Sequence, residues 1–167
     1  WVALDLIYPD KKTVIVPLRK IARFALVFLL LQIIYGGFVA GLNAGLIHNH
    51  WPLMSDGEFF HESISLEKNT WLERFTEGKS GVQFVHRTLA YVVVGLILLL
   101  AYKSHKFDLN KNQKSGINAL VIIVFIQFAL GVFTLLYSVP LWLGLAHQIV
   151  AFFLLTAMTY TLHRLSK

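Results

Sequence analysis

The chain has 167 residues, 56% of them hydrophobic and only 14% charged. That balance excludes an ordinary water-soluble domain, and the lack of any cysteine excludes disulfides, thiolate metal sites and a cysteine nucleophile. The net charge of +6 leaves nucleic acid open as a partner only until the placement of the charges is considered.

Trp1–Arg23 is mixed, with Lys11, Lys12, Arg19, Lys20 and Arg23 making its second half basic and Pro9 and Pro17 interrupting it. Residues 1–23 read as a linker leading to a helix start. The chain opens on Trp1 instead of methionine and shows no signal-peptide pattern, so it reads as part of, or processed from, something longer. From 24 to 47 there is no charged residue. A bilayer core needs ~20 apolar helical residues, so 24–47 is the first expected span. Within it Gly37, Gly41 and Gly45 repeat at four-residue spacing. They predict a smooth strip for close helix packing or for a flat ligand.

His48–Ser80 is polar and net acidic, with Trp51, Phe59, Phe60, Trp71 and Phe75 interleaved. Within it Leu66–Glu77 predicts a short amphipathic helix at the membrane surface, Leu72 and Phe75 on its apolar side. The second span, 81–102, carries His86 and Arg87 a short way inside one end. Ionisable groups in a span face the protein interior and mark candidate functional sites. A basic connection with Lys103, Lys106, Lys111 and Lys114 leads to a third span, 115–137. Pro140 marks a turn, and the fourth span is 141–162, with His163, Arg164 and Lys167 beyond it.

The amino-terminal segment, the basic connection and the tail hold 11 of the 15 Lys and Arg residues. With four spans they share one side. The positive-inside rule puts both termini in the cytoplasm, or its topological equivalent, and residues 48–80 outside. The positive charge therefore serves topology and membrane lipid. Nucleic acid is not an expected partner.

The helices echo one another. Gln32, Gly36 and Phe38 recur as Gln127, Gly131 and Phe133; His86, Ala90 and Tyr91 recur as His147, Ala151 and Phe152. Parallel copies of a helix pair would be related by an axis along the membrane normal. The expected fold is an all-α membrane protein. It is a four-transmembrane-helix antiparallel bundle, residues 24–167, with a pseudo-twofold repeat of helix pairs and His86 facing His147 across its axis. Lys79 precedes His86 by seven residues and Pro140 precedes His147 by seven. At ~1.5 Å rise per residue both histidines lie ~10 Å inside the same boundary.

Two imidazoles at one depth on opposed helices can ligate an iron between them, and a bundle interior offers haem a flat apolar slot. His86 and His147 are the candidate metal ligands. Gly36, Gly37 and Gly131 are candidate slot walls. Arg87 is a candidate partner for a propionate, or else snorkels to the interface. Each histidine could also be a hydrogen-bonded packing residue. Gln32 and Gln127 are expected to hydrogen-bond between helices. His48, His50 and His61 are expected to be solvated in the outer loop, and His105 and His163 to be ordinary interface residues.

Three motifs, GGFVAGLNAGLIHNHWPLM (Gly36–Met54), GVQFVHRTLAY (Gly81–Tyr91) and PLWLGLAHQ (Pro140–Gln148), resemble the carboxy-terminal half of the haem A synthase family. The resemblance implies one four-helix half of an eight-helix membrane protein. That protein oxidises the C8 methyl of haem O toward the formyl group of haem A for cytochrome oxidase. It implies haem b held by His86 and His147, a catalytic amino-terminal half or a second copy as partner, and a bacterial plasma membrane or mitochondrial inner membrane setting. Cytochrome oxidase assembly proteins and a quinol or ferredoxin-type electron donor are further implied partners. In the family's catalytic half a glutamate stands three residues before the first histidine. Here that position is Gln83, and an amide is a poor general base. The resemblance therefore implies a supporting, haem-binding half, with Gln83 near the haem. The family's outer-loop cysteine pair is absent. Two other readings stand beside this one: an unrelated quinol-linked b-type cytochrome with the same histidine pair, and a non-haem structural subunit.

Overall fold

A computed structural model of the chain describes residues 2–7, 14–55, 57–68 and 70–166. Pro9 and Lys11, Lys12 of the expected linker lie outside them. The described residues form seven α-helices: α1 Val2–Ile7, α2 Val16–Gly41, α3 Ser63–Leu66, α4 Trp71–Thr76, α5 Lys79–Ser104, α6 Lys111–Leu136 and α7 Leu141–Leu165. A single 3₁₀ turn, Ala44–Leu46, follows α2. Four of the helices, α2, α5, α6 and α7, are long and apolar enough to cross a membrane, as expected, and the chain is an integral, multi-pass membrane protein.

The helix ends differ from the expected spans. α2 begins at Val16, not 24, because Pro17 sits in the first turn, where its fixed φ favours helix and no donor is lost. Arg19, Lys20 and Arg23 thus ride on the helix. Charge marks the end of a bilayer core, and the helix runs through it. α2 stops at Gly41, before Asn43 turns to φ 52°. The surface helix expected over 66–77 is broken into α3 and α4. Thr70 restarts the chain: its side chain caps the Glu73 amide and Glu73 caps back, a capping box.

Each long helix packs on two others in the ring order α2, α5, α6, α7, with the α2–α5 and α6–α7 pairings the most extensive. α5 and α7 therefore stand at opposite corners. The core occupies one end only. Leu18, Ala22, Ala25 and Leu29 of α2 meet Val93, Ile97 and Leu100 of α5, Ile117, Leu120 and Val124 of α6, and Leu154, Met158 and Leu162 of α7. All lie in the half nearest the basic connection. At ~25 cal/mol per Å² of apolar surface this end anchors the bundle.

The other half is built differently. Residues 30–41 of α2, 84–92 of α5, 125–136 of α6 and 144–153 of α7 include no fully buried residue. Beyond that section the loop closes the bundle again, with Ala44, Met54, Ile64, Ser80, Val82 and Gln83 buried. Side chains therefore fill the bundle at both ends and leave its interior open between them.

Candidate functional site

His86 and His147 both fall in the unfilled section, on α5 and α7 at opposite corners. The two rings are near enough to influence one another electrostatically. Each ring is held in the same way. The amide Nε2 of Gln32, on α2, lies 3.3 Å from Nε2 of His86. The amide Nε2 of Gln127, on α6, lies 3.2 Å from Nε2 of His147. One helical turn further along α2 and α6, Gly36 and Gly131 leave room for the ring edges. A Cβ on Gly36 would sit 3.2 Å from Cε1 of His86, and one on Gly131 would sit 3.0 Å from Cε1 of His147.

Gly36 and Gly131 are thus brought to the histidines, as expected of slot walls. Gly37 is not. It is exposed, and no atom lies within 4 Å of where its Cβ would be; the same holds for Gly41. At 3.6 residues per turn one step rotates a side chain by about 100°, which carries Gly37 off the face that meets His86. The expected packing strip of Gly37, Gly41 and Gly45 does not form, since Gly45 belongs to the 3₁₀ turn.

The polar atoms around the rings are incompletely satisfied. Nδ1 of His86, Nδ1 of His147, Oε1 of Gln32 and Oε1 of Gln127 are buried with no hydrogen-bond partner among the described residues. Buried polar atoms are normally paired, and leaving one unpaired costs ~1–3 kcal/mol. An unfilled interior, two opposed imidazoles, close-fitting glycines and unmet donors together suit a flat ligand that binds through imidazole. Among the described residues no group of three or more His, Asp or Glu could hold a metal ion, so a metal here would rely on the histidine pair.

Arg87 does not snorkel. Its Nη2 donates to the carbonyls of His50, Pro52 and Leu53 at 2.6, 3.3 and 2.9 Å. Its Nη1 is buried with no partner among the described residues, which keeps one cationic donor for an anionic group. The strap that Arg87 holds carries Trp51, whose ring contacts Phe128 of α6; Phe128 in turn contacts Tyr91 of α5. Gln83 is buried, and its amide donates to the His48 carbonyl at 3.3 Å. It ties the loop to α5, and its Oε1 is unpaired among the described residues.

The loop histidines are more organised than solvated residues would be. His48 Nε2 lies 3.0 Å from Ser80 Oγ and 3.5 Å from Ser63 Oγ. Ser80 Oγ donates to Glu67 Oε1 at 2.7 Å, and His61 Nδ1 lies 2.8 Å from Ser63 Oγ. The His48 and His61 rings stand 4.4 Å apart. Burial, then the neighbouring His61, hold the His48 pKa below its ordinary value, against the opposing pull of Glu67. No spacing pattern joins residues 48, 61, 63, 67 and 80, so this network was not readable from the sequence. His163 also differs from expectation. It is fully buried and pairs with Asp5 of α1 at 2.8 Å, whereas His105 is exposed.

Fold and site together define a class: a multi-pass membrane domain that presents a pair of imidazoles inside a four-helix bundle. The chain belongs to the COX15-CtaA family, described as cytochrome oxidase assembly protein, whose profile matches residues 1–159. Heme A synthase of Flavobacterium psychrophilum is 74% identical over 167 residues, which is 100% of this chain and 49% of that protein. Heme A synthase of Flavobacterium johnsoniae is 71% identical over 168 residues, again 100% and 49%. Heme A synthase of Wolbachia pipientis is 40% identical over 142 residues, 85% of this chain and 38% of that protein. The chain spans about half the length of the Flavobacterium relatives. No solved structure matches it. The family resemblance read from the three motifs is borne out.

Proposed function

We propose that this chain is the haem b-binding half of a haem A synthase. It supports the oxidation of the haem O C8 methyl to formyl, carried out in a catalytic half that the chain does not include. One observation carries the reading: His86 and His147 stand at opposite corners of the bundle, in the section that no side chain fills. In this reading they are the axial ligands, Gly36 and Gly131 admit the ring edges, and the unpaired Arg87 Nη1 takes a propionate. An iron held by two imidazoles keeps no open position, so the group supplies one-electron transfer. Gln83 cannot act as a base near neutral pH and serves to hold the loop.

The remaining assignments follow from the same reading. The partner is a catalytic amino-terminal half, or a second copy of this chain. A quinol or ferredoxin-type donor supplies electrons, and other cytochrome oxidase assembly proteins take the product. The relatives named above are bacterial, so the setting is a plasma membrane with the basic end in the cytoplasm. The test is pigment analysis of the intact protein with and without the histidines. The proposal requires a low-spin haem b lost from both His86→Ala and His147→Ala, with haem A formation falling alongside. A purified, folded protein with no Soret band would overturn it.

A further inference from the structure

We infer that Gln32 and Gln127 are positioning residues that set the tautomer of the two histidines before metal arrives; this rests on the bis-histidine reading above. The argument is one of donors and acceptors. An amide nitrogen only donates. The ring atom that each amide nitrogen faces is Nε2, at 3.3 Å for Gln32 and His86 and at 3.2 Å for Gln127 and His147. Nε2 must therefore accept, and the ring proton sits on Nδ1. That is the tautomer whose Nε2 lone pair is ready for an iron. The opposite tautomer would present N–H to the metal and would have to lose or move a proton first.

The same device occurs twice, on different helix pairs. Each ring is trapped between an amide and a glycine four residues along the same helix: Gln32 and Gly36 for His86, Gln127 and Gly131 for His147. Glycine fixes the ring plane by close approach, and the amide fixes the proton. The cost stays visible in the unpaired Nδ1 and Oε1 atoms. A residue present only to pack two helices would be satisfied by any side chain of that size.

The test starts with the intact protein produced without haem and carrying ¹⁵N-labelled histidine. Signals are assigned by their loss in His86→Asn and His147→Asn. The inference expects both rings as Nδ1–H tautomers in the wild type. Gln32→Leu should leave His86 a mixture of tautomers. Gln32→Glu has the same size but offers only acceptors, so it should turn His86 to the Nε2–H form and slow haem uptake by about tenfold or more. Nε2–H tautomers in the metal-free wild type would overturn the inference, and this measurement needs no variant to fold. So would a Gln32→Glu protein that keeps both the wild-type tautomer and the wild-type uptake. A wild type with Nδ1–H rings that takes up no haem would sink the haem reading and leave the tautomer assignment standing.

Discussion

Gln32 reaches across from α2 to put its amide nitrogen 3.3 Å from Nε2 of His86. Gln127 does the same for His147 from α6, at 3.2 Å. The arrangement brings four side chains from four different helices to one level of the bundle. It is the level at which the apolar core stops.

Neighbouring glycines should behave in opposite ways. Gly36→Ala and Gly131→Ala place a methyl at 3.2 and 3.0 Å from an imidazole carbon, so each ring must move. Overpacking of this kind costs ~1–3 kcal/mol, and both variants should retain several-fold less haem per protein. Gly37→Ala meets nothing and should keep its haem, with helix stability raised by ~0.5–1 kcal/mol. Haem retention after purification, measured side by side, checks the contrast. Equal losses at Gly36 and Gly37 would count against the site.

Arg87 should matter to the loop as well as to the cofactor. Its three carbonyl contacts hold the strap that bears Trp51. Arg87→Ala should loosen residues 50–53 by about 1–3 kcal/mol, after allowance for partial exposure. Lysine lacks the planar fork, so Arg87→Lys should rescue little of this. Amide hydrogen exchange of His50, Trp51 and Leu53 reads the effect directly. Unchanged exchange in the alanine variant would refute it.

The loop should also weaken in acid. His48 has a folded-state pKa below its ordinary value, chiefly from burial and then from His61. The unfolded loop therefore binds a proton more readily than the folded one. Its contribution to stability is complete above the ordinary imidazole pKa of ~6.5 and is lost as pH falls toward the lowered value. Exchange across residues 63–80 should quicken between neutral and mildly acidic pH. His48→Asn should flatten that dependence. Identical pH profiles in the two proteins would contradict the assignment.

Much of this was legible in the chain itself. Four uncharged or nearly uncharged runs announce four spans, and seven-residue offsets from Lys79 and Pro140 place His86 and His147 at one depth. Other features were not. The run Arg19, Lys20, Arg23 marks a membrane boundary and says nothing about where the helix begins; Pro17 does. Gly36 and Gly37 are indistinguishable on paper, and only the rotation of α2 sends one to His86 and the other outward. Gln32 and Gln127 stood out as a repeat, but their ring partners come from other helices. His163 at the chain's end looked like an interface residue because nothing in its own neighbourhood reveals that α1 brings Asp5 to it.

The central claim is that His86 and His147 hold one haem between them. Its most direct test is the low-temperature EPR spectrum of the oxidised, intact protein, compared with His86→Ala and His147→Ala variants whose helicity is unchanged. The account predicts a low-spin bis-imidazole signal that vanishes in each single variant. A low-spin signal of full intensity in either variant would contradict it.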